Sequence, residues 1–280
     1  MIRWRWGKWI GIALSYALGV TMLFPFLWMV STSFKSPGDV FNFPIEWIPN
    51  PIELDGYLYV WKNAILGVSF FTFYINSIKV AVIVLIGTYF ACSMSAYAYA
   101  KIKFTGRNVL FLIKMSTMMI PFQVTMIPTF MIYRKLELLD THAALWLHVF
   151  FGSTFGVFLL RQFFMSIPDE LSEAARIDGA GHARIYWYVI LPLTKPAMSA
   201  LLVLTFVSTW NNYEAPLLYL RSPELFTIPL GLKVMSDDIY NIHYPGIMAG
   251  VVSSLIPILI IFALGQRYFI QGITFSGVKG

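Results

Sequence analysis

The sequence predicts an all-α integral membrane protein with six transmembrane helices and both termini on the cytoplasmic side. Three observations predict it. Hydrophobic residues make up 58% of the 280-residue chain and charged residues only 12%, with a mean hydropathy of +0.69; an ordinary soluble domain is about a quarter charged. The apolar residues gather into runs near 10–31, 75–99, 109–132, 143–164, 197–219 and 246–269, each almost free of charge. At a rise of ~1.5 Å per residue, each run covers the ~30 Å of a hydrocarbon core, without the polar stripe that a soluble surface helix keeps. Finally, lysines and arginines are shared unevenly between the connecting segments. Twelve lie on the side of the N-terminus, from Arg3, Arg5 and Lys8 to Arg267 and Lys279, and six on the other side, namely Lys35, Lys62, Arg134, Lys135, Arg221 and Lys233. That bias places the N-terminal side in the cytoplasm. The net charge of +6 then belongs to a positive cytoplasmic face and calls for no nucleic acid.

Taken in order, the chain opens with MIRWRWGKWIGIALSYALGVTMLFPFLWMV. Its basic head resembles a secretory signal, but the apolar stretch is longer than a signal's apolar region, so a retained first helix is expected. The extracytoplasmic loop 33–70 carries Trp47, Trp61 and several acids; a surface that meets another protein and a plain covering loop both fit it. The second run holds Asn76, Lys79 and Cys92, and the third Lys114 and Gln123. Both lysines are expected to snorkel. The single cysteine forms no internal disulfide and reads as a small packing residue. The fourth run contains GSTFG at 152–156, expected inside an apolar helix. Pro25, Pro121, Pro128, Pro216 and Pro257 interrupt several spans, a weak sign of bent helices.

The fifth run includes STWNNYEAP. A carboxylate snorkels poorly, so Glu214, expected about two turns below the outer surface, needs a polar cavity or a partner cation. With Trp210, Asn211, Asn212, Tyr213, Asn76 and Gln123 it forms a set of candidates for a translocation path, in which amides hydrogen-bond solute hydroxyls and rings stack on a solute face. Helix-packing bonds explain the same residues equally well.

Between the fourth and fifth runs lies a segment, 165–195, that looks folded. SIPDELSEAARID places Pro168 where a helix begins, Asp169 and Glu170 in its first turn, and Gly179 just past its end. HARIYWYVILP makes a second short helix, stopped by Pro192. Ala174, Ala175, Ala180 and Gly181 line the middle of this helix–turn–helix and permit close approach by another protein. A structural loop, an interfacial amphipathic helix and a docking element all remain open on the residues alone; the interfacial helix is disfavoured because such helices are usually Lys-rich and carry larger apolar anchors.

Catalytic chemistry has no footing. The phosphate loop GxxxxGK[ST] is absent, and GSTFG has its serine one place too early for a nucleophile elbow. His142, His148, His182 and His243 include no pair at i, i+4 and no Cys/His cluster, so no metal site is expected.

EAARIDGAGHARIYWYVILPLTKPA, residues 173–197, resembles the EAA signature of the membrane subunits of bacterial ATP-binding-cassette importers. Glu173, Ala174, Ala175, Asp178, Gly179, Ala180, Ile190, Leu191, Pro192 and Pro196 carry the likeness. MIPFQVTMIPTFMIYRKLELLDTHAAL (119–145), TWNNYEAPLLYL (209–220) and QRYFIQGITFSGVKG (266–280) are similar to the shorter permease of the carbohydrate-importing, maltose-importer-type branch. The resemblance implies a permease subunit, not an enzyme, in the bacterial cytoplasmic membrane. It also implies a second homologous permease, two copies of an ATPase subunit that bind ATP and Mg²⁺, and an extracytoplasmic solute-binding protein. Glu173, Ala174, Ala175, Asp178, Gly179, Ala180, Ile190 and Pro192 would belong to the element that docks in an ATPase groove. An ion-gradient-driven secondary transporter or channel would also explain six helices and Glu214, but has no use for a docking element; no internal repeat is visible.

Overall fold

A computed structural model describes residues 3–237 and 242–276, with side chains over 8–237 and 242–266. Of Arg3, Arg5 and Arg267 it therefore gives the backbone, while Lys279 and the last residues of the C-terminal motif lie outside the described residues. In chain order the elements are α1 (Arg3–Thr32), α2 (Asp55–Lys62), the strands β1 (Ala64–Ile65) and β2 (Val68–Ser69), α3 (Phe70–Lys101), α4 (Arg107–Ser116), α5 (Phe122–Lys135), α6 (Ala143–Trp146), α7 (Thr154–Ser166), α8 (Asp169–Ile177), α9 (His182–Ile185), α10 (Leu191–Leu193), α11 (Lys195–Trp210), α12 (Glu214–Tyr219), α13 (Ile228–Asp237) and α14 (Tyr244–Ser276). The strands pair antiparallel through Leu66 and Gly67, both at positive φ, the backbone that a two-residue hairpin turn requires.

The membrane-protein class is plain in these helices. Among the described residues, Lys8–Thr32, Phe70–Lys101, Ala143–Ser166 and Tyr244–Gln266 are each long and apolar enough to cross a bilayer. Two bent pairs, Arg107–Met119 with Phe122–Lys135 at 102° and His182–Leu193 with Lys195–Trp210 at 78°, raise the number to six if each is one span.

Three expected helices are broken, each for a local reason. The 109–132 run breaks at Ile120–Pro121: a residue before proline is driven out of the helical region, and Ile120 is extended at φ −87°, ψ 112°. The 143–164 run passes through a 3₁₀ stretch, Leu147–Phe151, to Gly152 at φ +74°. GSTFG is thus the break itself, and Ser153 restarts the chain by accepting a hydrogen bond from the Gly156 N–H at 3.1 Å. The 197–219 run ends at Trp210, because two asparagines offer the backbone alternative partners: Asn211 Nδ2 donates to the Val207 carbonyl, and the Ala215 N–H donates to Asn212 Oδ1. Of the five prolines, only Pro121 sits at a break. Pro25, Pro128 and Pro257 stay within α1, α5 and α14.

The chain divides into two compact units, Met1–Phe71 with Gly231–Ile256, and Thr72–Leu230 with Pro257–Gly280. In the first, no residue of the apolar window of α1 is buried by protein. A Cβ on Gly56 would meet the Pro245 carbonyl oxygen at 2.6 Å, so only glycine lets these backbones meet.

In the second unit Cys92, Ala96, Val157, Leu160, Phe164, Ile185, Ile190 and Leu201 form a core with no more than 1% exposure. Cys92 is a packing residue there, as expected. Lys114 does not snorkel: its Nζ donates to the Gly152 carbonyl at 2.8 Å and the Phe151 carbonyl at 3.4 Å, the acceptors freed at the 152 break.

Candidate functional site

The charged segment between α7 and α11 folds as a helix, a turn and a second short helical arm. Pro168 precedes α8, whose first turn holds Asp169 and Glu170 and whose last turn holds Arg176, charges that complement the helix dipole at both ends. The helix closes on Gly179 at φ +82°. The Gly179 N–H donates to the Arg176 carbonyl and the Ala180 N–H to the Ala175 carbonyl, both at 2.9 Å, which is the paired bonding of a Schellman stop. The second arm runs through α9, a π-helical turn over Tyr186–Ile190, and α10. Pro192 supplies no N–H to the Tyr188 carbonyl and crowds it, and the widened turn lies immediately before it. The arm continues one residue past Pro192, and Thr194 is where it meets α11.

Burial sorts the predicted docking residues. Ser172 is buried, and Ala175 and Ala180 pack against the core cluster. Ile190 is fully buried in that cluster, so it seats the element instead of presenting it. Facing outward are Glu173, Ala174, Asp178, Gly179 and Pro192. The face expected to be a continuous strip of small residues is therefore split, with half of it turned inward. Its exposed centre holds a residue that the sequence did not single out: Ile177, 88% exposed, one helical turn beyond Glu173 and Ala174. A bare isoleucine between Arg176 and Asp178 was the available signal.

The element is tied to the bundle at three points. Tyr186 Oη and Ser93 Oγ are 2.6 Å apart in the interior. Tyr97 Oη donates to the His182 carbonyl at 3.3 Å. Lys101 Nζ, from the end of α3, reaches both the Ile167 carbonyl and Asp169 Oδ1 at 2.6 Å. The Lys101 hydrogen bond, then its charge, with smaller help from Lys103 and Arg176, holds the Asp169 carboxyl below the usual range.

The predicted path residues are dispersed. Asn76 Nδ2 donates to the Glu224 and Phe226 carbonyls at 2.7 and 3.0 Å and is buried, so its amide fastens the 222–228 segment. Trp210 is 2% exposed and stacks on Phe206. Gln123, Asn211 and Glu214 are exposed and Tyr213 half-buried. Glu214 opens the short helix α12 instead of lying within a continuous span. Only Asn212 of this set lines a cleft between helices of the second unit. That cleft, of about 510 Å³, is walled by α3, the 145–155 segment and α11, and carries Thr88, His148, Ser153, Thr205, Ser208 and Thr227. The Thr88 and Thr227 hydroxyls are buried without a hydrogen-bond partner among the described residues. No grouping of His, Cys, Asp or Glu among the described residues is arranged to hold a metal.

Known proteins resemble this chain along most of its length. Residues 83–275 match the family of binding-protein-dependent transport system inner membrane components. The chain belongs to that family. As a member it is a transporter permease and not an enzyme. Over 260 residues it is 36% identical to the arabinooligosaccharides transport system permease protein AraQ of Halalkalibacterium halodurans, covering 92% of this chain and 91% of that one. It is 34% identical to the sn-glycerol-3-phosphate transport system permease protein UgpE of Yersinia pestis over 280 residues, 99% of each. A chain in the crystal structure of a bacterial ABC transporter that imports the acidic polysaccharide alginate superposes with a TM-score of 0.83 at 30% identity, over 95% of this chain and 98% of that one.

Proposed function

We propose that this chain, the permease subunit of a binding-protein-dependent ABC importer of carbohydrate, spans the bacterial inner membrane six times with both termini in the cytoplasm, and couples ATP hydrolysis to transport through residues 168–193. The carrying observation is the way α8 is mounted. Its Ser172–Ala175 side is seated on the core while Glu173, Ala174 and Ile177 stand clear of it. An ATPase subunit receives that face in a groove: Ile177 fills an apolar pocket and Glu173 pairs with a basic group, a partly desolvated pair whose disruption costs about 2–5 kcal/mol. Closure of two ATPase copies draws α8 inward. Lys101 and the core contacts of Ile185 and Ile190 pass that movement to α3 and α11.

The solute path lies along the 510 Å³ cleft, shared with a second, homologous permease. The exposed Ser208 and Asn212 along it match the donors and acceptors of a polyhydroxylated solute. A binding protein delivers the solute, as the alginate transporter captured with its pentasaccharide-bound periplasmic protein illustrates for that system.

Affinity purification of the chain from its native membrane in detergent tests this reading. An ATPase and a second permease co-purify with the native chain, and Glu173→Arg loses the ATPase while keeping the permease. Recovery of the chain alone, with the variant indistinguishable, would overturn it.

A further inference from the structure

The segment 43–52 exposes apolar side chains to a degree that a soluble loop does not sustain: Phe43 is 93% exposed, Ile48 81%, Ile52 65% and Ile45 47%. It nevertheless does not stand away from the protein. The Trp47 ring meets the Phe24 ring edge-on at 4.8 Å, and Ser31 Oγ donates to the Glu46 carbonyl at 3.4 Å. Residues 46–47 thus fold back along α1, toward its middle and past its end.

The depth of that contact follows from α1 itself. Its apolar stretch begins after Lys8, and its window has no residue buried by protein. About 20 residues fill a ~30 Å hydrocarbon core, which places the far boundary near Trp28. Phe24 lies roughly 6 Å beneath that boundary. Trp47, 41% exposed, is beside it on a face that protein leaves bare. The backbone suits this position as well. Pro44, Pro49 and Pro51 have no N–H to leave unpaired in a poorly hydrated layer. Glu46, exposed beside Trp47, stays at the headgroup level, and Asp39 on one side, with Glu53 and Asp55 on the other, marks where the segment returns to water.

We propose that residues 43–52 are a membrane foot, a loop seated in the lipid interface at the C-terminal end of α1. Trp47 occupies the headgroup–acyl boundary, the level that tryptophan favours, and Phe43, Ile45 and Ile48 enter the acyl fringe to the ~5–10 Å depth reached by interfacial elements. The occupant of this surface is lipid, neither the solute-delivering protein nor the second permease. The proposal rests on α1 spanning the bilayer and holds for either leaflet. It also divides the 33–70 segment, leaving α2 and the β-hairpin as the part open to a soluble partner.

Collision accessibility of a nitroxide tests the foot. In a Cys92→Ala background, Phe43→Cys and Ile48→Cys are labelled in the assembled importer in proteoliposomes, with Leu18→Cys in mid-helix and Leu66→Cys at the hairpin turn as references. Collisions with oxygen exceed those with a water-soluble nickel chelate at positions 43 and 48, as at 18 and opposite to 66. Nickel dominance at 43 and 48 with oxygen dominance at 18 overturns the foot while leaving the span intact. Shielding of 43 and 48 from both reagents also overturns it, in favour of a protein cover. Nickel dominance at 18 removes the span on which the proposal rests.

Discussion

Lys101 Nζ stands 2.6 Å from Asp169 Oδ1, with 5% of the lysine side chain exposed and 78% of the aspartate. An ion pair with one exposed member adds little stability, about 0–1 kcal/mol. The arrangement matters for position, since the same ammonium also holds the Ile167 carbonyl, so that the end of α3 grips the residues on both sides of Pro168. Lys101→Met keeps much of the buried stem and removes both bonds. The expected result is ordinary insertion and ATPase recovery with a lower ratio of solute imported to ATP hydrolysed, read by paired uptake and hydrolysis assays in proteoliposomes. An unchanged ratio would show that α8 needs no grip from α3.

Gly179 turns α8 into the second arm at φ +82°, and a Cβ there would meet nothing within 4 Å. The cost of replacement is therefore backbone strain alone, about 1–2 kcal/mol for alanine, and less for asparagine, which enters this region more readily. Gly179→Ala should weaken retention of the ATPase during purification, with Gly179→Asn intermediate and the heat stability of the isolated permease nearly unchanged. Equal retention by all three proteins would mean that the turn angle does not set docking.

The bounds of α8 were legible in the sequence because its stops are local: Pro168, two first-turn acids and a glycine at the C-terminal turn each act on their own backbone. The break at Ile120–Pro121 falls where a proline sits, although a continuous span was expected there. The orientation of α8 was not legible. Ala174 and Ala175 are chemically identical, and only the tertiary contact that buries Ala175 tells them apart. The same holds for the cleft, whose lining residues Thr88 and Thr227 come from distant parts of the chain. Asn76 and Trp210 had the chemistry of solute contacts, but their bonds and packing go to the protein itself, an outcome fixed by neighbours that residue type does not reveal.

Gly156 of α7 packs against Cys92 of α3. A Cβ at that position would lie 2.8 Å from Cys92 Sγ, 2.7 Å from Ser153 Oγ and 3.2 Å from Leu201 Cδ2. Gly156→Ala should destabilise by about 1–3 kcal/mol through overpacking, seen as a lower midpoint for heat-induced loss of folded permease in detergent. Cys92→Ala clears one of these contacts, so the double variant should recover part of the loss and the two changes should not add. Strict additivity would place the strain elsewhere.

Asp140 accepts hydrogen bonds from the Arg221 and Ser222 N–H groups at 2.8 and 2.9 Å and from the Ser222 hydroxyl, closing the 219–222 segment against the turn after α5. These bonds, the Ser222 hydroxyl foremost, hold its carboxyl below the ordinary range. A carboxylate whose folded pKa is depressed stabilises the fold above its unfolded value, near 3.9, and loses that contribution as pH falls through the lower folded value. Asp140→Ala strands two N–H groups and should cost about 1–3 kcal/mol. Asp140→Asn keeps an acceptor and tolerates the positive φ of 57° at this residue, so it should cost less. The gap in heat stability between native and Asp140→Asn proteins should stay constant from pH 6 to 8 and narrow only below about pH 4. A gap that changes across the neutral range would assign the titration to another group and remove Asp140 as the anchor of this segment.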